Sequence, residues 1–200
     1  MDDLVRAPGQ SMGHLARDNS SVLASLLPHF VVTVADPAAT GRECARRAME
    51  ALGADQVPIG KGPRGEPLWP AGIAGSITHC PGYTAAAVAW AEDVKGLGID
   101  AEVLTPLAPA VVEVVCTPAE RRMLRALADE QWPLVVFSAK ESVFKAWYPL
   151  TGQWLEYGDV QVSLDSSAGT FSASIKDTDT VSGRFGLDGG LVFTAVALLP

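Results

Sequence analysis

The sequence predicts an α+β protein made of a pseudo-twofold pair of similar subdomains, each a small antiparallel sheet packed with helix. Three observations carry this. Helical spacing is confined to "GRECARRAMEAL" in the first half and to two segments beyond Thr117 in the second. Short β-rich runs separated by turn residues come in two sets, one ending near Glu102 and one starting near Asp159. The chain of 200 residues, 48% hydrophobic and with five Trp, has ample apolar surface for a packed core. No clear sequence repeat relates the halves, so the duplicated plan rests on the order of elements.

Residues 1–21 are polar and aperiodic, which predicts a flexible leader, with order starting near Val22. "FVVTVA" (30–35) has the β-branched content of a strand. Gly41 to Leu52 carries Cys44, Ala45, Ala48, Met49 and Leu52 at helical spacing and meets a C-capping glycine at Gly53. "PIGKGPRGEPLWP" (58–70) is too rich in glycine and proline for a helix or long strand and forms a basic loop. "GSITHC", "YTAAAVAWA" and "GLGID" then read as an antiparallel meander whose last strand ends in two acids. Pro118 to Leu127 forms a helix after the N-cap Thr117, and a second runs from Leu134 to Tyr148, where Pro149 stops it. "VQVSL", "TFSASI", "SGRFGL" and "LVFTAVALL" give a second meander. The expected units are thus residues 22–103 and 104–200.

A net charge of −8 disfavours nucleic acid or an anionic membrane as partner, since both demand a positive field. Any anionic ligand then needs a local basic pocket or a metal ion. Cys44, Cys80 and Cys116 are widely separated and lack CxxC spacing, as expected of reduced thiols. The opening residues contain no basic stretch followed by an apolar one, so the chain reads as soluble and cytoplasmic.

Three constellations carry chemistry. Asp100 and Glu102 lie two apart on a strand and so share a face. Two adjacent carboxylates repel, which is relieved by protonation or by a hard divalent cation such as Mg²⁺; a solvated strand end is the bland alternative. In "FSAKESVFKAWYP", Glu141 and Lys145 are i,i+4 neighbours able to form a surface pair worth roughly 0.2–0.5 kcal/mol. Phe137, Phe144, Trp147 and Tyr148 make that helix so apolar that a cleft lining is the sharper reading, with Lys140 and Lys145 meeting phosphate. Third, Lys61, Gly62, Arg64 and Gly65 let backbone and positive charge approach an anion, while Thr78 and His79 add donors. This run lacks Walker spacing and the strand-GxGxxG-helix context, and a single histidine is more often structural.

Taken in order, "GRECARRAM", "PIGKGPRGEPLWPAGIAGSITHC", "GIDAE", "FSAKESVFKAWYPLTGQWLEY" and "GLVFTAVAL" resemble the 4'-phosphopantetheinyl transferases, in the stand-alone branch serving polyketide, nonribosomal peptide and siderophore synthesis. The resemblance spans Gly41 to the chain's end. It implies a pseudo-twofold α+β fold with coenzyme A in a cleft between the halves. It further implies Mg²⁺-dependent (or Mn²⁺-dependent) transfer of the phosphopantetheine arm to a serine of an acyl or peptidyl carrier protein, releasing 3',5'-ADP. By the same match Asp100, Glu102 and Glu141 would hold the metal, Glu141 would take the serine proton, and Lys145 would stabilise phosphate charge. Arg42, Lys61, Gly62, Arg64, Thr78, His79, Asp100 and Lys140 match coenzyme A positions. A monomer is expected, because a duplicated fold forms its cleft within one chain.

The chain departs from the family in having only "ADPAAT" (35–40) between its first strand and the "GREC" helix, where relatives carry a longer segment with a further phosphate contact. A non-catalytic coenzyme A or carrier-protein binding module is the alternative this favours. A metal-dependent pyrophosphate hydrolase is a third reading, which the acids alone allow.

Overall fold

The computed structural model describes residues 20–127, 129–176 and 180–200. Most of the expected leader therefore lies outside the described residues, and Ser20 and Ser21 already belong to a helix, α1 (Ser20–Ser25). The chain continues through β1 (Val32–Ala35), α2 (Gly41–Leu52), a two-residue ladder of β2 (Gly60–Lys61) with β3 (Pro67–Leu68), and β4 (Ile73–Cys80). Next come β5 (Tyr83–Trp90), β6 (Gly96–Val103), α3 (Pro109–Val115), α4 (Pro118–Leu127) and α5 (Trp132–Thr151). A 3₁₀ turn (Tyr157–Asp159) leads into β7 (Val160–Asp165), β8 (Thr170–Ile175), β9 (Thr180–Asp188) and β10 (Leu191–Leu198). Helices and antiparallel sheets make this the expected α+β fold. Among the described residues no helix is long and apolar enough to cross a membrane.

Helix α2 starts where Thr40 and Glu43 satisfy each other's backbone: the Glu43 amide donates to Thr40 Oγ1, and the Thr40 amide to Glu43 Oε2 at 2.7 Å. Its buried stripe of Cys44, Ala45, Ala48 and Met49 covers Ala86 and Val88 of β5. The alternate residues of β5, Ala85, Ala87 and Ala89, face the other way and pack with Leu97, Ile99, Phe193 and Ala195. Alanine on both faces is what lets a thin strand be buried between a helix and a second sheet.

That second sheet corrects the expected meander. β4 and β5 pair, but β6 pairs with β10, from Leu191 opposite Val103 to Leu198 opposite Gly96. The sheets are ordered β1-β5-β4 and β6-β10-β9-β8-β7. Alternation specifies that β6 is a strand; it does not choose the neighbour, which here is the distant β10. Contact with β4 is kept by side chains instead. Ser76 Oγ accepts the Ile99 amide and Thr78 Oγ1 the Ala101 amide, each at 3.0 Å.

Helix α5 covers the five-stranded sheet with Val135, Val136, Ala139, Val143 and Ala146. It passes Pro149, the expected stop, and ends at Gly152, whose φ of 65° and amide bond to Tyr148 O close it. A proline in the last turn removes one helical hydrogen bond while the rest of the turn holds. Helices α1 and α3 are further elements that the sequence reading did not anticipate; both are short, and α3 begins at a proline without a side-chain cap.

Helix α5 and β6 approach each other closely. A Cβ on Gly98 would collide with the Ser142 carbonyl oxygen, and one on Gly96 with that of Ala146. Backbone meets backbone there, with no flexible side chain to give way. Gly98→Ala is therefore expected to cost more than about 3 kcal/mol of stability, or to prevent folding, as read by chemical denaturation; a variant with the parent midpoint would show that helix and strand have more room.

Candidate active site

The α5–β6 contact decides the surroundings of Asp100, two residues beyond Gly98. Asp100 is 3% exposed. Its Oδ1 accepts from Lys145 Nζ at 2.7 Å and from Thr78 Oγ1 at 3.4 Å, and its Oδ2 accepts from Ser138 Oγ at 2.7 Å. Lys145 also donates to the Ile99 carbonyl at 3.2 Å. Lys145 therefore does not form the surface pair with Glu141 that helical spacing allows. Glu141 instead accepts at Oε1 from the Tyr157 hydroxyl, at 2.8 Å.

Glu102 lies two residues on, half-buried, and among the described residues no hydrogen-bond donor meets its carboxylate. Its proton affinity is pushed up from the ordinary glutamate value near 4.5 to about 7, first by burial, then by the Asp100 charge, with Glu141 adding to the effect and Lys145 opposing it. The three acids thus share one electrostatic environment. They do not stand together as a preformed metal cluster: among the described residues no three His, Cys, Asp or Glu are so grouped. The donor set nonetheless suits a hard cation, being all carboxylate oxygen, with a mutual repulsion that a cation would relieve.

A cleft of about 240 Å³ opens beside Lys145. Glu141 and Lys145 form its α5 wall; Arg64 and Trp69 from the basic loop face them, and Trp154 closes one end. The loop is held at its base by Arg42, whose guanidinium donates to the Ile59 and Gly60 carbonyls at 3.3 Å each. Its tip leans on α5 through Arg64, 4.7 Å above the Trp154 ring, which in turn packs on Phe144 and Tyr148. Lys61 is exposed. Gly62 is buried beneath the Glu66 carboxylate, which fills the space a side chain at 62 would need and accepts the Arg64 amide at 2.9 Å. The backbone donor that the glycine-rich loop offers an anion is here taken by an acid of the same loop.

Two residues matched to ligand contacts are turned inward. Lys140 has a side chain 2% exposed, and its ammonium spends its three hydrogens on Val115 O, Tyr157 O and Glu120 Oε2, each at 2.8 Å. Thr78 is buried with its hydroxyl engaged by Asp100 and the Ala101 amide. His79 is exposed at the end of β4 and does not line the cleft. The structure thus brings Arg64, Glu141 and Lys145 together, with Asp100 behind Lys145. Sequence reading missed Ser138, Glu66, Trp154 and Tyr157; the sole signal among them is Trp154, a large aromatic just past a helix-ending glycine.

Glu102 has a pH consequence. Its folded-state pKa is raised, so the stability it contributes is present below about 4.5 and is lost as pH climbs through about 7. With a chelator present, the unfolding temperature is expected to fall between about pH 5 and pH 7.5, and to fall less in Glu102→Gln; parallel profiles would place the sensitivity elsewhere.

Similarity to known proteins accords with this geometry. Residues 39–89 match the 4'-phosphopantetheinyl transferase N-terminal domain, and residues 96–196 the 4'-phosphopantetheinyl transferase superfamily. The 4'-phosphopantetheinyl transferase Svp of Streptomyces mobaraensis is 46% identical over 173 residues, which cover 80% of this chain and 70% of that one. PptT of Mycobacterium tuberculosis, with the same family name, is 40% identical over 174 residues, 80% of this chain and 77% of that protein. Enterobactin synthase component D of Escherichia coli strain K12 is 39% identical over 110 residues, 53% of this chain and 51% of its own. With the two family models matched in order over residues 39–89 and 96–196, and relatives 40% and 46% identical over 80% of its length, the chain belongs to the 4'-phosphopantetheinyl transferase family of enzymes.

Proposed function

We propose that the protein transfers the 4'-phosphopantetheine arm of coenzyme A to a serine hydroxyl of an apo acyl or peptidyl carrier protein, with Mg²⁺, releasing 3',5'-ADP. The observation that carries this reading is the cleft in which Arg64 faces Glu141 and Lys145. A pyrophosphate needs positive charge on both sides, and a net-acidic protein must gather that charge locally. Arg64 supplies it from the loop side, with Lys61 exposed on the same loop, and Lys145 from α5, while Arg42 holds the base of that loop.

In the reaction the serine oxygen attacks the phosphorus that carries the pantetheine arm. The bond from that phosphorus to the bridging oxygen breaks, and 3',5'-ADP leaves with the electron pair. Glu141, or a water it orients, takes the serine proton. Lys145, released from Asp100 in part or shared with it, stabilises negative charge on the phosphate. Asp100, Glu102 and Glu141 are the residues that would hold Mg²⁺, which when bound neutralises pyrophosphate charge. Thr78 and Lys140 act at a remove, by fixing Asp100 and the frame of α5. The division into halves 22–103 and 104–200 with the cleft between them, a cytoplasmic location and a monomeric state belong to the same proposal. Carrier proteins of this kind are acidic too, so docking would use a local apolar or basic patch rather than long-range attraction.

Incubation with coenzyme A, Mg²⁺ and several apo carrier proteins, followed by mass spectrometry, should show a carrier heavier by one phosphopantetheine arm. No gain with any carrier would refute the reading. Glu141→Gln is expected to abolish transfer and leave coenzyme A affinity within a few-fold; normal turnover in that variant would remove Glu141 from the chemistry.

A further inference from the structure

Tyr157 is bound at both ends to neighbouring residues of α5. Its backbone carbonyl accepts from Lys140 Nζ at 2.8 Å, and its hydroxyl donates to Glu141 Oε1 at 2.8 Å. Lys140 and Glu141 are adjacent on the helix and so point about 100° apart. Lys140 turns inward to Glu120, whose other oxygen accepts the Val162 amide at 2.6 Å. Glu141 turns to the cleft. Tyr157 bridges the two directions.

The turn that carries it is fixed independently. The Glu156 amide donates to Asp159 Oδ2 at 3.0 Å, and the Asp159 carbonyl accepts the Lys176 amide at 2.9 Å at the end of β8. The Tyr157 ring rests tilted on Phe137, 6.0 Å between centroids. A half-buried hydroxyl aimed at the carboxylate expected to take the serine proton is more than a packing contact needs.

We infer that Tyr157 is a positioning residue for the transfer: its hydroxyl clamps one oxygen of Glu141, leaving the other to face the incoming serine. This rests on the transferase reading above. A carboxylate rotating freely presents either oxygen in many orientations; one held at Oε1 by a donor that is itself anchored through Lys140 and Glu120 presents Oε2 in one. The buried Glu120–Lys140 pair then serves the cleft indirectly, through the carbonyl and ring of Tyr157.

Tyr157→Phe deletes the oxygen and keeps the ring on Phe137. It should lower kcat about tenfold, leave KM for coenzyme A within about twofold, and shift the unfolding temperature by no more than about 3 °C. A crystal structure of the variant should show the Glu141 carboxylate moved from its parent position. Tyr157→Leu, which also removes the ring, should match the loss in kcat and unfold at lower temperature. Parent-level kcat in Tyr157→Phe with a loss only in Tyr157→Leu would make the residue a packing element and overturn the inference, as would a tenfold loss with Glu141 unmoved. If the parent protein primes no carrier, the transferase reading fails by itself, and the position of Glu141 in the two crystal structures still decides the clamp.

Discussion

The contact of α5 with β6 is the constraint on which the rest of the site depends. Glycine at 96 and 98 lets the helix carbonyls of Ala146 and Ser142 press against the strand, where any side chain would hold them off. At that separation Asp100 can receive Ser138 and Lys145 from the helix, while Thr194 on the next strand donates to the Ser138 carbonyl at 2.8 Å. On the other edge of β6 the amides of Ile99 and Ala101 go to hydroxyls of β4. One aspartate is thereby tied to both sheets and to the long helix. Burying it costs desolvation, offset by charge-assisted bonds worth about 1.5–3 kcal/mol each.

A second buried charge pair sets the far wall. Glu120, 0% exposed, accepts from the Thr117 amide, the Val162 amide and Lys140, and so joins the start of α4, β7 and α5. Such a pair is weak evidence for net stability, but losing either partner strands a charge at a cost of about 3–5 kcal/mol. Its value here is orientation: it fixes which face of α5 looks inward, and with that the direction in which Glu141 and Lys145 look out. The positive side chains left to meet an anion are the ones the pair does not consume, Lys145 and the loop's Lys61 and Arg64.

How much of this the sequence discloses depends on whether the signal is local. The apolar stripe of α2, its stop at Gly53 and the strands β7 to β10 announce themselves within a few residues, and the structure has them where spacing puts them. The partner of β6 is nearly a hundred residues away, and alternation is silent on it. Pro149 misled because it removes only the one bond its own amide would make, and the turn closed by Gly152 holds on the bonds that remain. Lys140 and Lys145 look alike in "AKESVFK", yet their positions on the helix send one to Glu120 and the other to the cleft; only knowledge of what packs on each face separates them. Glu66 folding back over Gly62, and Tyr157 reaching Glu141, are tertiary facts with no periodicity to reveal them.

The central claim is that the Arg64–Lys145 cleft receives the pyrophosphate of coenzyme A. A crystal structure with coenzyme A and Mg²⁺ tests it most directly. The account predicts the pyrophosphate between the basic loop and α5, within hydrogen-bond reach of Lys145 and Arg64, with metal density among Asp100, Glu102 and Glu141. Coenzyme A bound instead in the separate groove on the C-terminal sheet, beside Leu26, Phe171 and Arg184, would contradict it.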